Sequence, residues 1–325
     1  TDIYLLKIDS LCNYQWSYAL GDIGNDFANA VCTTYDNGIL IGASTNSYGN
    51  SYQACLMKRD ALGNFVWKKT YGAEDWDFIN DVVQTYDSGL VFCGETYNNT
   101  NGNSDVWIVK TNNQGDTLWT RTYGGSMADK GNSIIETTDS NIVVAGMVTT
   151  LLDSTQAYII KLDKDGSLLW DSVYGGQKFE AIHKVIEVSN GSYAFVGSSS
   201  SVNANNFLDH YFLNITKDGS LIVENSFSSG NNDETFSIRE RPDGKFLASG
   251  YTTAYGAGKK DVHVYLITPV GGWGGMGITF GHYEDDEVLS SFLNPSGRMI
   301  FAGNTTSYGQ GNTDAYIIRL DTIYN

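Results

Sequence analysis

Short runs of alternating apolar and polar residues follow one another along this chain, and no run has the length and period of an amphipathic helix. Typical runs are Gly89–Gly94 (GLVFCG), Ala157–Asp163 (AYIIKLD) and Ser167–Tyr174 (SLLWDSVY). Lengths of roughly five to nine residues, rich in β-branched and aromatic side chains, predict strands. Four such runs make a unit. The first segment follows an acidic residue, as in Phe27–Tyr35 (FANAVCTTY) and Phe78–Tyr86 (FINDVVQTY). The second is strongly apolar and ends at a recurrent glycine: Gly42, Gly94, Gly146, Gly197, Gly250 and Gly303. The third alternates in the β manner. The fourth follows a tight turn and usually ends in an aromatic-glycine pair: Tyr71-Gly72, Tyr123-Gly124, Tyr174-Gly175 and Phe280-Gly281. The turn before it carries Leu62-Gly63, Asp165-Gly166 or Asp218-Gly219, chemistry suited to a residue at positive φ.

The unit repeats. Trp16, Trp67, Trp119 and Trp170 are spaced 51, 52 and 51 residues apart, and Val223 and Met276 keep the frame without the indole. Repeats of about 40–50 residues, each of several short strands, are the mark of propellers. The chain holds six first, six second, seven third and six fourth segments, beginning with a third and ending with a third. The expected fold is a single all-β propeller over 1–325, made of four-stranded antiparallel blades. Six blades are favoured, with seven as the alternative. The N-terminal strands, 2–20, are expected to complete the last blade, because closure removes exposed sheet edges. One third segment is then surplus: an added strand outside Trp16, or the remnant of a seventh blade.

The motifs in Asp129–Gly146 with Met147-Val148-Thr149, in Ala157–Asp163 and in Gly166–Gly176 resemble the seven-bladed β-propeller repeat family of bacterial secreted and surface proteins. The resemblance covers nearly the whole chain and is weakest over 209–280. It implies a non-catalytic, extracytoplasmic propeller that serves as a module of surface proteins, and it transfers no active site.

A formal charge of −17 argues against a nucleic-acid partner and against anionic membrane surfaces. No apolar run approaches the roughly 20 residues that span a bilayer. The start at Thr1-Asp2, without Met, suggests a processed chain from which a signal peptide has gone, in keeping with secretion. A monomer is expected. Cys12, Cys32, Cys55 and Cys93 lack metal-site spacing and fall at different repeat positions; Cys32 and Cys93 read as small core residues.

Candidate chemistry is sparse. The acid that opens the first segment recurs as Asp26, Asp77, Asp129, Glu180, Asp233 and Asp286. Six such acids could ring one end of the axis and take a hard cation such as Ca²⁺. The favoured reading is structural, each carboxylate accepting backbone N–H bonds at the head of its strand. Asp163-Lys164-Asp165-Gly166 resembles part of a calcium loop, but turn chemistry explains it as well. No cofactor is indicated. The tryptophan series is read as packing between repeats. Loops between the second and third segments carry Tyr48, Tyr97, Tyr255 and Tyr308 among Asn, Ser and Gly, an adaptable recognition chemistry. Trp273, in the run Gly271–Gly275, lies off the packing register. These five aromatics are the candidate ligand contacts. His183, His210, His263 and His282 do not gather into a metal triad by spacing. The leading function is a protein- or glycan-binding scaffold. The alternatives are a polysaccharide hydrolase or lyase with axial carboxylates, and a calcium-stabilised spacer.

Overall fold

The computed structural model describes residues 2–49, 51–98, 100, 103–150, 154–201, 206–294 and 297–321. These residues form 25 strands and no helix, so the fold is an all-β propeller of antiparallel blades. Five blades are complete four-stranded meanders. They comprise β3 (Asp26–Thr33), β4 (Ile39–Thr45), β5 (Gln53–Arg59) and β6 (Phe65–Tyr71), then β7 (Asp77–Gln84), β8 (Leu90–Thr96), β9 (Asp105–Thr111) and β10 (Thr117–Tyr123). The third holds β11 (Lys130–Glu136), β12 (Ile142–Thr149), β13 (Thr155–Leu162) and β14 (Leu168–Tyr174). The fourth holds β15 (Glu180–Glu187), β16 (Tyr193–Ser199), β17 (Asp209–Ile215) and β18 (Leu221–Phe227). The fifth holds β19 (Asp233–Glu240), β20 (Phe246–Thr252), β21 (Asp261–Ile267) and β22 (Trp273–Phe280). A sixth begins in the same way with β23 (Asp286–Leu293), β24 (Met299–Thr305) and β25 (Asp314–Leu320).

β1 (Ile3–Ile8) and β2 (Tyr14–Leu20) pair in a two-stranded sheet, and β23–β25 form a three-stranded one. Among the described residues the propeller has six blades, the count the repeats favour.

Two recurrent glycines are set by geometry. A β-bulge interrupts each ladder between first and second strands, as between Ile79 and Asp81 beside Gly94. It brings the Phe78 carbonyl oxygen to 1.8 Å from where a Cβ on residue 94 would stand, and Gly146, Gly197, Gly250 and Gly303 meet a carbonyl at 1.8–1.9 Å. Only glycine fits there. In the turns before the fourth strands, Gly63, Gly115, Gly166, Gly219 and Gly271 have φ of 75–88°, where a side chain is strained.

Those same turn glycines receive the tryptophans. Trp16, Trp67 and Trp119 lie over Gly63, Gly115 and Gly166 of the following repeat, and Val223 lies over Gly271. The indoles are half-buried contacts between repeats, as the spacing predicts.

The chain divides into two compact units, 1–154 with 158–173, and 155–157 with 174–325. In the first, Leu40, Leu56, Ile79, Phe92 and Val109 pack between the sheets. In the second, Val196, Phe212, Ile238, Phe246 and Tyr265 do the same. Each fully buried side chain of this size contributes about 1.5–3 kcal/mol. All four cysteines are free thiols, and burial pushes that of Cys55 up to about 12.

Candidate functional site

Each acid that opens a blade accepts a hydrogen bond from the backbone N–H four residues earlier. Asp22 N–H bonds Asp26, Ala73 N–H bonds Asp77, and Gly125 N–H bonds Asp129, at 3.0, 3.1 and 2.5 Å. Gly176 N–H bonds Glu180, Ser229 N–H bonds Asp233, and His282 N–H bonds Asp286, at 2.8, 3.1 and 2.8 Å. All six are buried. The carboxylate closes the loop that follows the aromatic-glycine pair and fixes the start of the strand. Burial raises the pKa of Asp77, Asp129 and Asp233. Among the described residues, no group of three or more His, Cys, Asp or Glu side chains is placed to hold a metal ion. The calcium-loop fragment is a turn in which Asp163 accepts the N–H of Asp165 and of Ser167, at 2.9 and 2.8 Å. Asp9, Asp60 and Asn112 do the same in their own turns.

The five candidate aromatics separate. Tyr48 is exposed, donates its hydroxyl to Asp22 at 2.6 Å and carries Lys68 over its ring. The Lys68 ammonium and the Tyr48 hydroxyl hold the Asp22 carboxyl below its usual range. Tyr97 packs edge-on against Trp76, with centroids 5.7 Å apart. Tyr308 lies 5.6 Å from Tyr316. Tyr255 and Trp273 come together at the mouth of one cavity in the second unit.

That cavity measures about 690 Å³ and opens between the fourth and fifth blades. Phe227, Ser228 and Ser229 line it from the fourth blade, and Trp273, Gly277 and Thr279 from β22. Its floor is made by His210 of β17 and His263 of β21. Trp273 stacks flat on Tyr265 and leaves its other side to the cavity, being 48% exposed. His210 Nε2 lies 2.9 Å from His263 Nδ1. On the far side, His210 Nδ1 lies 2.8 Å from Thr235 Oγ1, which lies 2.7 Å from the Tyr265 hydroxyl. The result is a buried hydrogen-bonded chain that runs from Tyr265 to the cavity floor. Burial holds His210 well below its usual range, with the neighbouring His263 as a second cause, and lowers His263 to about 4. Both rings are neutral at pH 7.

Sequence reasoning missed this histidine pair. The signal was present: His210 and His263 are 53 residues apart, one repeat plus one residue. That offset places them on opposite faces of neighbouring blades, where they meet. A second group also escaped notice. Glu234 accepts the Tyr251 hydroxyl at 2.6 Å and lies 3.3 Å from His183 Nε2. Lys260 sits 4.1 Å from the centre of the Tyr251 ring and 3.3 Å from Glu287. These groups satisfy one another.

A β-propeller domain of unknown function, DUF5122, matches residues 295–322. No curated protein matches the chain. Among solved structures, an α-L-arabinanase of Penicillium chrysogenum complexed with arabinobiose is similar at a TM-score of 0.57, with 9% identity over 91% of this chain and 92% of that one. An α-L-arabinofuranosidase of Fusarium graminearum, also with arabinobiose, scores 0.52 with 8% identity over 90% and 92%. Sqt1 of Chaetomium thermophilum scores 0.50 with 14% identity over 88% and 68%. At such identities the likeness is one of fold.

Proposed function

We propose that this chain is a non-catalytic, secreted or surface-exposed propeller that binds neutral glycan in the cavity between its fourth and fifth blades. The observation that carries this reading is Trp273, a half-exposed indole held flat by Tyr265 at the wall of a cavity of about 690 Å³. That volume falls within the roughly 300–1,000 Å³ of ligand sites. A fixed aromatic face suits the apolar side of a sugar ring, and Ser228, Ser229, Tyr255 and Thr279 put hydroxyls around it. No Asp, Glu, Lys or Arg is among the residues lining the cavity. A neutral ligand fits such a lining, whereas glycoside hydrolysis ordinarily needs two carboxyl groups about 5–10 Å apart.

The test is calorimetric titration with neutral oligosaccharides. Arabinobiose and longer arabino-oligosaccharides come first, because two fold relatives were solved with arabinobiose; xylo- and cello-oligosaccharides follow. At least one binds, Trp273→Ala weakens it tenfold or more, and no reducing ends are released. Equal binding by Trp273→Ala, or binding by none of them, defeats the reading.

A further inference from the structure

One hydrogen bond recurs in the second, third and fourth blades, and the fifth blade lacks its acceptor. The residue two places after the Asp or Gln that opens the third segment (Asp105, Gln156, Asp209) donates diagonally onto the fourth strand. Trp107 Nε1–H bonds Thr120 Oγ1 at 2.7 Å, the Tyr158 hydroxyl bonds Asp171 at 2.6 Å, and the Tyr211 hydroxyl bonds Glu224 at 2.7 Å. In register, Trp107 faces Thr122 and Tyr211 faces Ser226, so each acceptor sits two residues before the facing one. In the fifth blade the residue two places after Asp261 is His263, and its facing residue is Thr279. The acceptor position is therefore Gly277. A Cβ there would stand 3.1 Å from His263 Nε2. Glycine leaves that nitrogen open to the cavity, and Nε2 has no partner among the described residues.

The buried chain behind His263 decides whether Nε2 carries a proton. Each neutral imidazole has one N–H, so the chain can run in two directions. In the first, Tyr265 donates to Thr235, Thr235 to His210 Nδ1, and His210 Nε2–H to His263 Nδ1; His263 then carries its proton on Nε2. In the second, every bond reverses and the Tyr265 O–H loses its acceptor. Tyr265 is fully buried, and Thr235 is the only partner of its hydroxyl among the described residues. Leaving a buried O–H unpaired biases the equilibrium against the second direction by on the order of tenfold to a hundredfold. The first direction makes His263 a donor, the same role that Trp107, Tyr158 and Tyr211 play.

We propose that His263 Nε2–H is the specificity-determining donor of this cavity. On this assignment the site selects an uncharged, ring-faced ligand whose acceptor oxygen stands where Thr120, Asp171 and Glu224 stand in the second, third and fourth blades. The identity of the ligand as a glycan rests on the preceding reading; the donor does not.

Two readouts test it. Long-range ¹H–¹⁵N spectra of the ¹⁵N-histidine-labelled protein at pH 7 report the tautomer, with His263→Gln and His210→Gln to assign the signals. His263 and His210 both carry the proton on Nε2, and Thr235→Val, which removes the hydroxyl that sets the direction of the chain, lowers the tautomer ratio severalfold, whereas Tyr265→Phe leaves it unchanged because reversal would still orphan the Thr235 O–H. The second readout uses acetophenone and ethylbenzene, similar in size and differing in one acceptor oxygen. Acetophenone binds about three- to tenfold more tightly and shifts the His263 Nε2 signal. The preference disappears in Gly277→Thr, whose hydroxyl accepts the Nε2 proton as Thr120 accepts that of Trp107. A proton on His263 Nδ1, equal affinity for the two probes, or no binding of acetophenone overturns the proposal. Failure of every oligosaccharide with both readouts intact removes the glycan reading and leaves the donor assignment standing.

Discussion

The indole of Trp273 and the phenol ring of Tyr265 lie parallel, with planes 5° apart and centroids 5.3 Å apart. Tyr265 is fully buried and tied through its hydroxyl to Thr235, so it is a fixed platform. Trp273 borrows that rigidity while remaining half exposed. Its aromatic face is therefore set before any ligand arrives, which reduces the ordering cost of binding. Removing the indole at this exposed site should cost the fold about 1–1.5 kcal/mol or less, mainly the stacking contribution. Thermal unfolding of Trp273→Ala therefore shows a small drop in Tm, while oligosaccharide affinity falls tenfold or more.

The blade-opening acids make a contrasting prediction. Asp233 is buried and accepts the N–H of Ser229. Asp233→Ala leaves a loop N–H without its charged partner and should cost about 1.5–3 kcal/mol. Tyr48→Phe removes one exposed hydrogen bond and should stay within about 0.5 kcal/mol. Denaturant midpoints of the two variants check this. The same structural account expects neither calcium nor a chelator to move Tm, because an ion bound only to the folded state would raise it.

The histidine pair links stability to pH. His263 is held near 4 in the fold against an ordinary 6.5. Between those values the unfolded chain binds the proton and the folded one does not, so stability falls as pH drops through that window and is fully retained above it. The wild type should thus lose up to about 3 kcal/mol relative to His263→Gln between pH 6.5 and pH 4. Taking the difference between the two proteins cancels the buried acids. Asp77, Asp129 and Asp233, whose pKa values are raised, act with the opposite sign, since the fold binds their protons more readily than the unfolded chain. Urea titrations of both proteins across this pH range read the difference.

Glycines in the two settings should respond differently. At Gly94 a methyl group would stand 1.8 Å from the Phe78 carbonyl oxygen, so Gly94→Ala must break the bulge and should cost about 3 kcal/mol or more. At Gly191, φ is 84° and nothing lies within 4 Å, so Gly191→Ala meets only backbone strain of about 1–2 kcal/mol. Equal losses at the two positions would show that the bulge does not impose the glycine.

The fold was legible because its determinants repeat. A side-chain period of two, a glycine under each bulge and an indole over the turns at Gly63, Gly115 and Gly166 recur in register, so several copies testify to the same strand. Asp77 and Asp129 hold the same place in their blades, and each accepts the N–H four residues before it. The proposed ligand site lies where the repeat fails, and there periodicity is silent. Gly277 carries no signal of its own in the sequence; the pairing of β21 with β22 shows that it faces His263 diagonally. The meeting of His210 and His263 needed the packing of two neighbouring sheets, which spacing alone does not supply. Tyr255 was singled out by loop composition, as were Tyr48, Tyr97 and Tyr308, and Trp273 by falling off the packing register; only cavity geometry brings Tyr255 and Trp273 together.

A crystal structure of the protein soaked with its best-binding oligosaccharide tests the account most directly. It should show a sugar ring lying on Trp273 and one of its oxygens within about 3 Å of His263 Nε2, the ordinary N–H···O distance. A sugar seated instead on the Tyr48, Tyr97 or Tyr308 loops, with the cavity between the fourth and fifth blades untouched, would contradict it.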